Sequence, residues 1–210
     1  MKKVMISFGM PKNTGYAGGI ANIVNQYLNK SDVFGANGCE ISHFDAVAKF
    51  KKSRLSIINK YKSMNAIRKK LDEALEKENA DILHVNTSRR SLLTQDLIIL
   101  NGIRKRSVKK VMTIHFAEIN KILFNNSFYR KFAINSMNKS IDMTVFLSEQ
   151  TRNEFIKAGL KKEKSTVLYT FHDYVPDEER VKESVQSHND RLKLLFMGSI
   201  DKRKGIANFL

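Results

Sequence analysis

A chain of 210 residues is enough for one large domain, or for a domain and a piece of another, because single cores commonly serve about 100 to 200 residues. The lone Cys39 excludes an internal disulfide, and with no Cys-x-x-Cys pair a structural zinc site is not expected, so a reducing, cytoplasmic setting fits. Lys and Arg outnumber Asp and Glu by 37 to 21, and the resulting +16 calls for an anionic partner: nucleic acid, a membrane surface or a phosphorylated ligand.

Met1-Lys2-Lys3 opens like a signal peptide, but the apolar run Val4 to Met10 is too short, and Pro11-Lys12 follows without a small-residue cleavage site. A first buried strand over Lys3 to Phe8 is predicted instead. Further strands are predicted at Glu40 to Phe44, Asp81 to Asn86, Val108 to His115, Met143 to Leu147 and Thr166 to Tyr169. Between them run helical stripes. Gly19 to Leu28 carries Ile20, Ile23, Val24, Tyr27 and Leu28 at three- and four-residue spacing, and Ser91 to Arg106 is similar. Ser148 is an N-cap for a helix running to Ala158, and Gly159 is its stop. Such alternation predicts an α/β fold, a Rossmann-like parallel sheet with helices on both faces. No window approaches the ~18 apolar residues of a membrane span. The densest apolar run is Leu97-Ile98-Ile99-Leu100, so the protein is expected to be soluble or peripheral. Pro176 and the polar run Asp177 to Arg180 break the pattern as a linker, and Leu192 to Met197 begins a new unit.

The first strand ends in a loop with glycines at 9, 15, 18 and 19 before a helix. Glycines there let backbone N–H groups approach a phosphate or sugar at a helix N-terminus, although an ordinary flexible turn has the same composition. Neither the dinucleotide fingerprint nor the P-loop motif is present. His115 closes a strand at the carboxyl edge of the sheet, where ligands collect in open α/β folds. It is read either as a ligand contact or as a histidine satisfied by its own loop. His84, between Leu83 and Val85, reads as core. Lys202-Arg203-Lys204-Gly205 suits either a solvated turn or a diphosphate beside a helix start.

Taken in order, Gly18-Gly19-Ile20, Asp81-Ile82-Leu83-His84, Val111-Met112-Thr113-Ile114-His115, Phe146-Leu147-Ser148-Glu149 and Leu194-Leu195-Phe196-Met197-Gly198 with Lys204-Gly205 carry a resemblance. The chain resembles the retaining, GT-B-fold nucleotide-sugar glycosyltransferases of family 4. The resemblance implies two facing Rossmann-like domains, the first for acceptor and the second for donor. Residues 1–170 would be the acceptor-binding domain, 171–190 the linker and 191–210 the start of the donor-binding domain. On its own, such a chain is expected to be inactive.

The resemblance also implies residue roles. Gly18 and Gly19 match the glycine loop near the donor phosphates and acceptor, His115 matches the catalytic histidine that hydrogen-bonds the donor sugar, and Lys204 matches the lysine that neutralises the leaving diphosphate. Gly198-Ser199 stands where the family usually has Gly-Arg, so Arg203 is the candidate substitute. Thr170-Phe171 stands where many members have Asn, and the family's paired glutamates would fall beyond Leu210. No cofactor and no metal are implied, because the nucleotide-sugar is a substrate.

From Ala46 to Leu71 there are nine basic residues and no acidic one, among them Lys49, Lys51, Lys52, Arg54, Lys60 and Lys62. Leu55, Ile58, Tyr61, Met64, Ile67, Leu71 and Leu75 recur every three or four residues, giving a helix with an apolar stripe flanked by lysines. Either it lies on a membrane surface or its stripe packs on the core under a solvated basic face. The resemblance favours the membrane, since many members act on lipid-linked acceptors. The expected function is therefore sugar transfer from a nucleotide-sugar to a glycan or lipid-linked acceptor in bacterial surface polysaccharide synthesis. The expected location is cytoplasmic, peripherally attached to the inner face of the cell membrane. The rival is a non-catalytic basic module binding an anionic partner such as nucleic acid. No RNP-like strand, helix-turn-helix or zinc-finger spacing supports it, so no nucleic acid is expected.

Overall fold

The computed structural model describes residues 3–9, 19–45, 57–88, 90–103, 107–116, 125–169 and 177–179. The chain divides into two compact units, Met1–Thr170 and Phe171–Leu210. The second is described only at 177–179, where the Glu179 N–H donates to Asp177 Oδ1 at 3.1 Å.

In the first unit, β1 (Lys3–Gly9), α1 (Gly19–Asn29), α2 (Ser31–Ala36), β2 (Cys39–Asp45), α3 (Ile57–Lys77), β3 (Ile82–Thr87) and α4 (Arg90–Gly102) come first. They are followed by β4 (Lys109–Ile114), α5 (Ser127–Ser140), β5 (Met143–Phe146), α6 (Glu149–Lys157) and β6 (Ser165–Val167). The strands form one parallel sheet in the order β2-β1-β3-β4-β5-β6. All six expected strands are present, with ends shifted by one or two residues. Cys39 is only half-buried because it opens the edge strand β2.

Right-handed crossovers decide which helix covers which face. The chain moves one way from β1 to β2 and the other way ever after, so α1 lies on the opposite face from α3 to α6. The packing agrees: Leu71, Leu93, Leu97, Leu100, Ala133, Met137 and Phe155 from α3 to α6 share one core with Phe8, Leu83, Val85, Met112, Ile114 and Phe146 of the sheet. Ala21 and Val24 of α1 are buried outside that core.

Helix ends follow local chemistry. Ser148 Oγ accepts from the Thr151 N–H at 3.2 Å, capping α6 as its sequence predicts. At the other end the Gly159 N–H reaches Ile156 O and the Leu160 N–H reaches Phe155 O, a Schellman closure with Gly159 at φ +106°. Asn79, at φ +49°, closes α3 in the same way. The α5 helix, capped by Asn126 Oδ1 on the Tyr129 N–H, was not expected from the sequence pattern.

The amino edge of the sheet uses one device twice. Asp81 exchanges two hydrogen bonds with Val4: its N–H donates to Val4 O at 2.9 Å and its Oδ2 accepts from the Val4 N–H at 3.0 Å. Asp142 does the same with Lys110, at 2.9 Å in both directions. Each carboxylate pins the register of its own strand to its neighbour. Lys3 and Lys109 add exposed ion pairs at 3.2 and 3.3 Å.

Candidate functional site

Because all strands are parallel, Gly9, Thr87 and Ile114 end at one edge of the sheet, and the residues that follow them collect there. Strand order reverses at β1, with β2 on one side and β3 on the other, so the ends of β1 and β3 flank the topological switch point. Gly9 stands at that point with φ +153°, and a Cβ on it would come within 3.3 Å of Asn86 O. Glycine is what permits β1 to end so close to β3.

Alternation along β3 and β4 sorts their side chains. Leu83 and Val85, with Met112 and Ile114, enter the core, so His84 and Asn86, with Thr113 and His115, take the other face. His115 lies one residue past β4. Its N–H donates to Thr87 O at 2.8 Å, and its ring Nε2 lies 3.0 Å from Asn86 Oδ1. One register step earlier, His84 Nε2 lies 2.8 Å from Thr113 Oγ1, and Tyr27 of α1 packs over His84 at 5.8 Å between ring centroids. The result is a polar ladder of two diagonal rungs, partly roofed by α1.

Burial pushes the His115 imidazole down from 6.5 to about 4. His84 is also brought to about 4, first by burial and then by the nearby His115 charge. Both rings are neutral at pH 7, and burial raises the Tyr27 phenol as well. Ser7, paired in register with His84 and wholly buried, adds a hydroxyl to this face. Among the described residues, Ser7 Oγ and Asn86 Nδ2 have no hydrogen-bond partner.

Beneath the sheet, Asp96 of α4 is 6% exposed, and burial raises its carboxyl to about 7. The Thr87 hydroxyl opposes that shift without making a well-formed hydrogen bond. Among the described residues no three His, Cys, Asp or Glu side chains come together as a metal site.

Of the residues singled out from sequence, His115 lies at the carboxyl edge, and Gly19 is the first residue of α1, on the connection leaving β1. Gly18, Arg203 and Lys204 lie outside the described residues, as do Lys49, Lys51, Lys52 and Arg54. Lys60 belongs to α3, and Lys62 on the same helix is exposed. The apolar stripe of α3 divides. Ile67, Leu71 and Leu75 are in the core with Met64 packed against it, so this half has no free apolar face, whereas Tyr61 is 62% exposed. His84 is half-buried under α1 rather than in the main core. Asn86 and Thr113 were not singled out from the sequence, although their alternation with Val85 and Met112 was the available signal.

A family model described as Glycosyltransferase Family 4 matches residues 29–174. Among solved structures, the chain is similar to sucrose-phosphate synthase from Thermosynechococcus elongatus, with a TM-score of 0.66 at 11% identity over 99% of this chain and 58% of that one. It is also similar to Anabaena HepE in complex with UDP and glucose, with a TM-score of 0.49 at 16% identity over 89% of this chain and 50% of that one. No curated protein gives a significant match. The chain therefore spans between half and three-fifths of the length of these solved chains.

Proposed function

Since the chain belongs to glycosyltransferase family 4, we propose that it is the acceptor-side half of a retaining GT-B enzyme. That enzyme moves a sugar from a nucleotide-sugar to a glycan or lipid-linked acceptor in bacterial surface polysaccharide synthesis. The family match over 29–174 carries the proposal, and the Rossmann-like parallel sheet shared with the sucrose-phosphate synthase structure agrees with it. The activity is proposed for the whole protein, of the hexosyltransferase type and without a metal or cofactor. In this reading 1–170 binds acceptor, 171–190 links and 191–210 opens the donor-binding domain. The division of the chain at Thr170 supports the first boundary.

His115 is assigned the donor sugar. What supports this is its place at the carboxyl edge, its half-buried neutral ring and its tie to Asn86. A neutral imidazole contributes a directed hydrogen bond that strengthens as charge develops at C1, without the desolvation cost of a buried cation. Gly18 and Gly19 are assigned to the donor phosphates, a role that the N-terminus of α1 at Gly19 suits. Lys204, with Arg203, neutralises the leaving diphosphate. Among the described residues no helix is long and apolar enough to cross a membrane, and attachment to the inner face of the cell membrane is proposed through the basic 46–71 segment.

The test is radiolabelled transfer from a panel of UDP- and GDP-sugars to a lipid-linked acceptor. The 210 residues assayed alone provide the comparison and are expected to show no transfer. His115→Ala is expected to lower turnover at saturating donor far more than it raises the acceptor KM. Near-normal turnover in that variant would return His115 to a structural role.

A further inference from the structure

Asn86 and His115 are 29 residues apart in sequence and meet only because β3 and β4 are in register. Asn86 is 3% exposed, so its amide is held by its surroundings. Two consecutive residues of β3 grip His115: Thr87 O accepts from its backbone N–H, and Asn86 Oδ1 faces its Nε2. A neutral imidazole has one N–H and one bare nitrogen, and an amide oxygen can only accept. With the amide oxygen turned toward the ring, the arrangement that satisfies both groups puts the hydrogen on Nε2 and leaves Nδ1 bare. Among the described residues Nδ1 has no hydrogen-bond partner, and the His115 side chain as a whole is only half-buried.

We infer that Asn86 is a positioning residue that holds His115 as the Nε2–H tautomer and presents Nδ1 as a hydrogen-bond acceptor at the carboxyl edge. A hydroxyl-bearing ligand can donate to that nitrogen. The orphaned Asn86 Nδ2 and the buried Ser7 hydroxyl lie on the same sheet face. His84, on the neighbouring rung, is the titratable group whose ionisation is linked to that of His115. The catalytic consequence rests on the transferase reading, whereas the tautomer does not.

The experiment is long-range proton–nitrogen NMR on the 210-residue chain labelled with ¹⁵N-histidine, with His115 assigned by its loss in His115→Gln. At pH 7 the expected His115 spectrum is a single neutral tautomer with a protonated Nε2, a bare Nδ1 and a slowly exchanging Nε2 proton. Asn86→Ala should make that proton exchange too fast to observe. Asn86→Asp keeps an acceptor in place and adds charge, so it should retain the proton and raise the His115 titration midpoint by about one pH unit or more. A wild-type ring protonated at Nδ1 would overturn the inference. So would an unmoved midpoint in Asn86→Asp. In the transfer assay, Asn86→Ala is expected to lower kcat about tenfold, the worth of one hydrogen bond, with acceptor KM little changed. If the tautomer is as inferred but no sugar is transferred, the functional reading fails and the positioning role stands.

Discussion

His84 and His115 are neutral because burial makes the charged ring costly, and this has a consequence for stability. In the unfolded chain each takes up a proton near pH 6.5, but in the folded chain only near 4. Between those values acid favours the state that binds more protons, which is the unfolded one. Their contribution is complete above about 6.5 and is lost as pH falls toward 4. Asp96 works in the opposite sense. Its folded value of about 7 lies above the ordinary 3.8, so the folded state keeps a proton that the unfolded state releases, and the penalty grows from about pH 4 to 7. At full extent it is of the order of 4 kcal/mol. Asp96→Asn, which mimics the neutral acid, is expected to raise the urea midpoint at pH 8, with the gain shrinking by pH 4. His84→Gln is expected to flatten the loss of stability between pH 6.5 and 4. Urea denaturation of the three proteins across this range checks both signs.

Among the elements, capping and register chemistry offer sharper tests than propensity. Gly159 closes α6 in the left-handed region, and a Cβ there would meet Ile134 Cγ2 at an ordinary 3.5 Å. The cost of Gly159→Ala is therefore conformational, about 1 kcal/mol. Asn79→Gly, at the equivalent position after α3, should be neutral or slightly stabilising, and thermal denaturation compares the two. At the amino edge, partial burial pushes the Asp142 carboxyl up. The Lys110 N–H and the Lys109 and Lys164 charges outweigh it and hold the carboxyl below the usual range. Its contribution is present above the unfolded value and fades as pH falls through the lower folded one. Asp142→Ala should therefore destabilise clearly at pH 7 and less below pH 4. Lys109→Ala should cost little at either pH, because its side chain is 72% exposed. The α5 helix shows where pattern reading fails. Beside the core residues it shares with α4, polar pairs join the two helices, with Asn101 Nδ2 donating to Ser136 Oγ at 3.1 Å and Thr94 Oγ1 to Tyr129 Oη at 3.0 Å. An apolar stripe does not record the serines that share this face.

For the whole molecule, the +16 charge is the feature most open to measurement. Each lysine or arginine near an anionic bilayer is worth about 1 kcal/mol, weakening with salt. The chain is expected to sediment with anionic vesicles at low salt, to dissociate as salt rises and to ignore neutral vesicles. Within α3, Lys62, Lys69 and Lys70 are exposed, while Arg68 is held by Asn65 and Asp72 of its own helix. Reversing the three exposed lysines should therefore weaken binding, and Arg68→Gln should change it little. Equal binding to neutral and anionic vesicles would remove the membrane role from this segment.

The sequence by itself determined the six strands, the Ser148 cap and the Gly159 stop, because alternation, capping and left-handed glycine are local physics carried by neighbouring residues. It also placed His115 at a strand's end. Only the tertiary structure decided that α3 turns Ile67, Leu71 and Leu75 into the core, since an amphipathic stripe states that a face is apolar but not what covers it. The same holds for the two rungs of the polar ladder. His84 with Thr113, and Asn86 with His115, are each 29 residues apart, and a shift of one residue between β3 and β4 would separate both pairs. That register is set by the whole sheet, through the crossover that packs Leu83, Val85, Met112 and Ile114 on one side and leaves the histidines on the other.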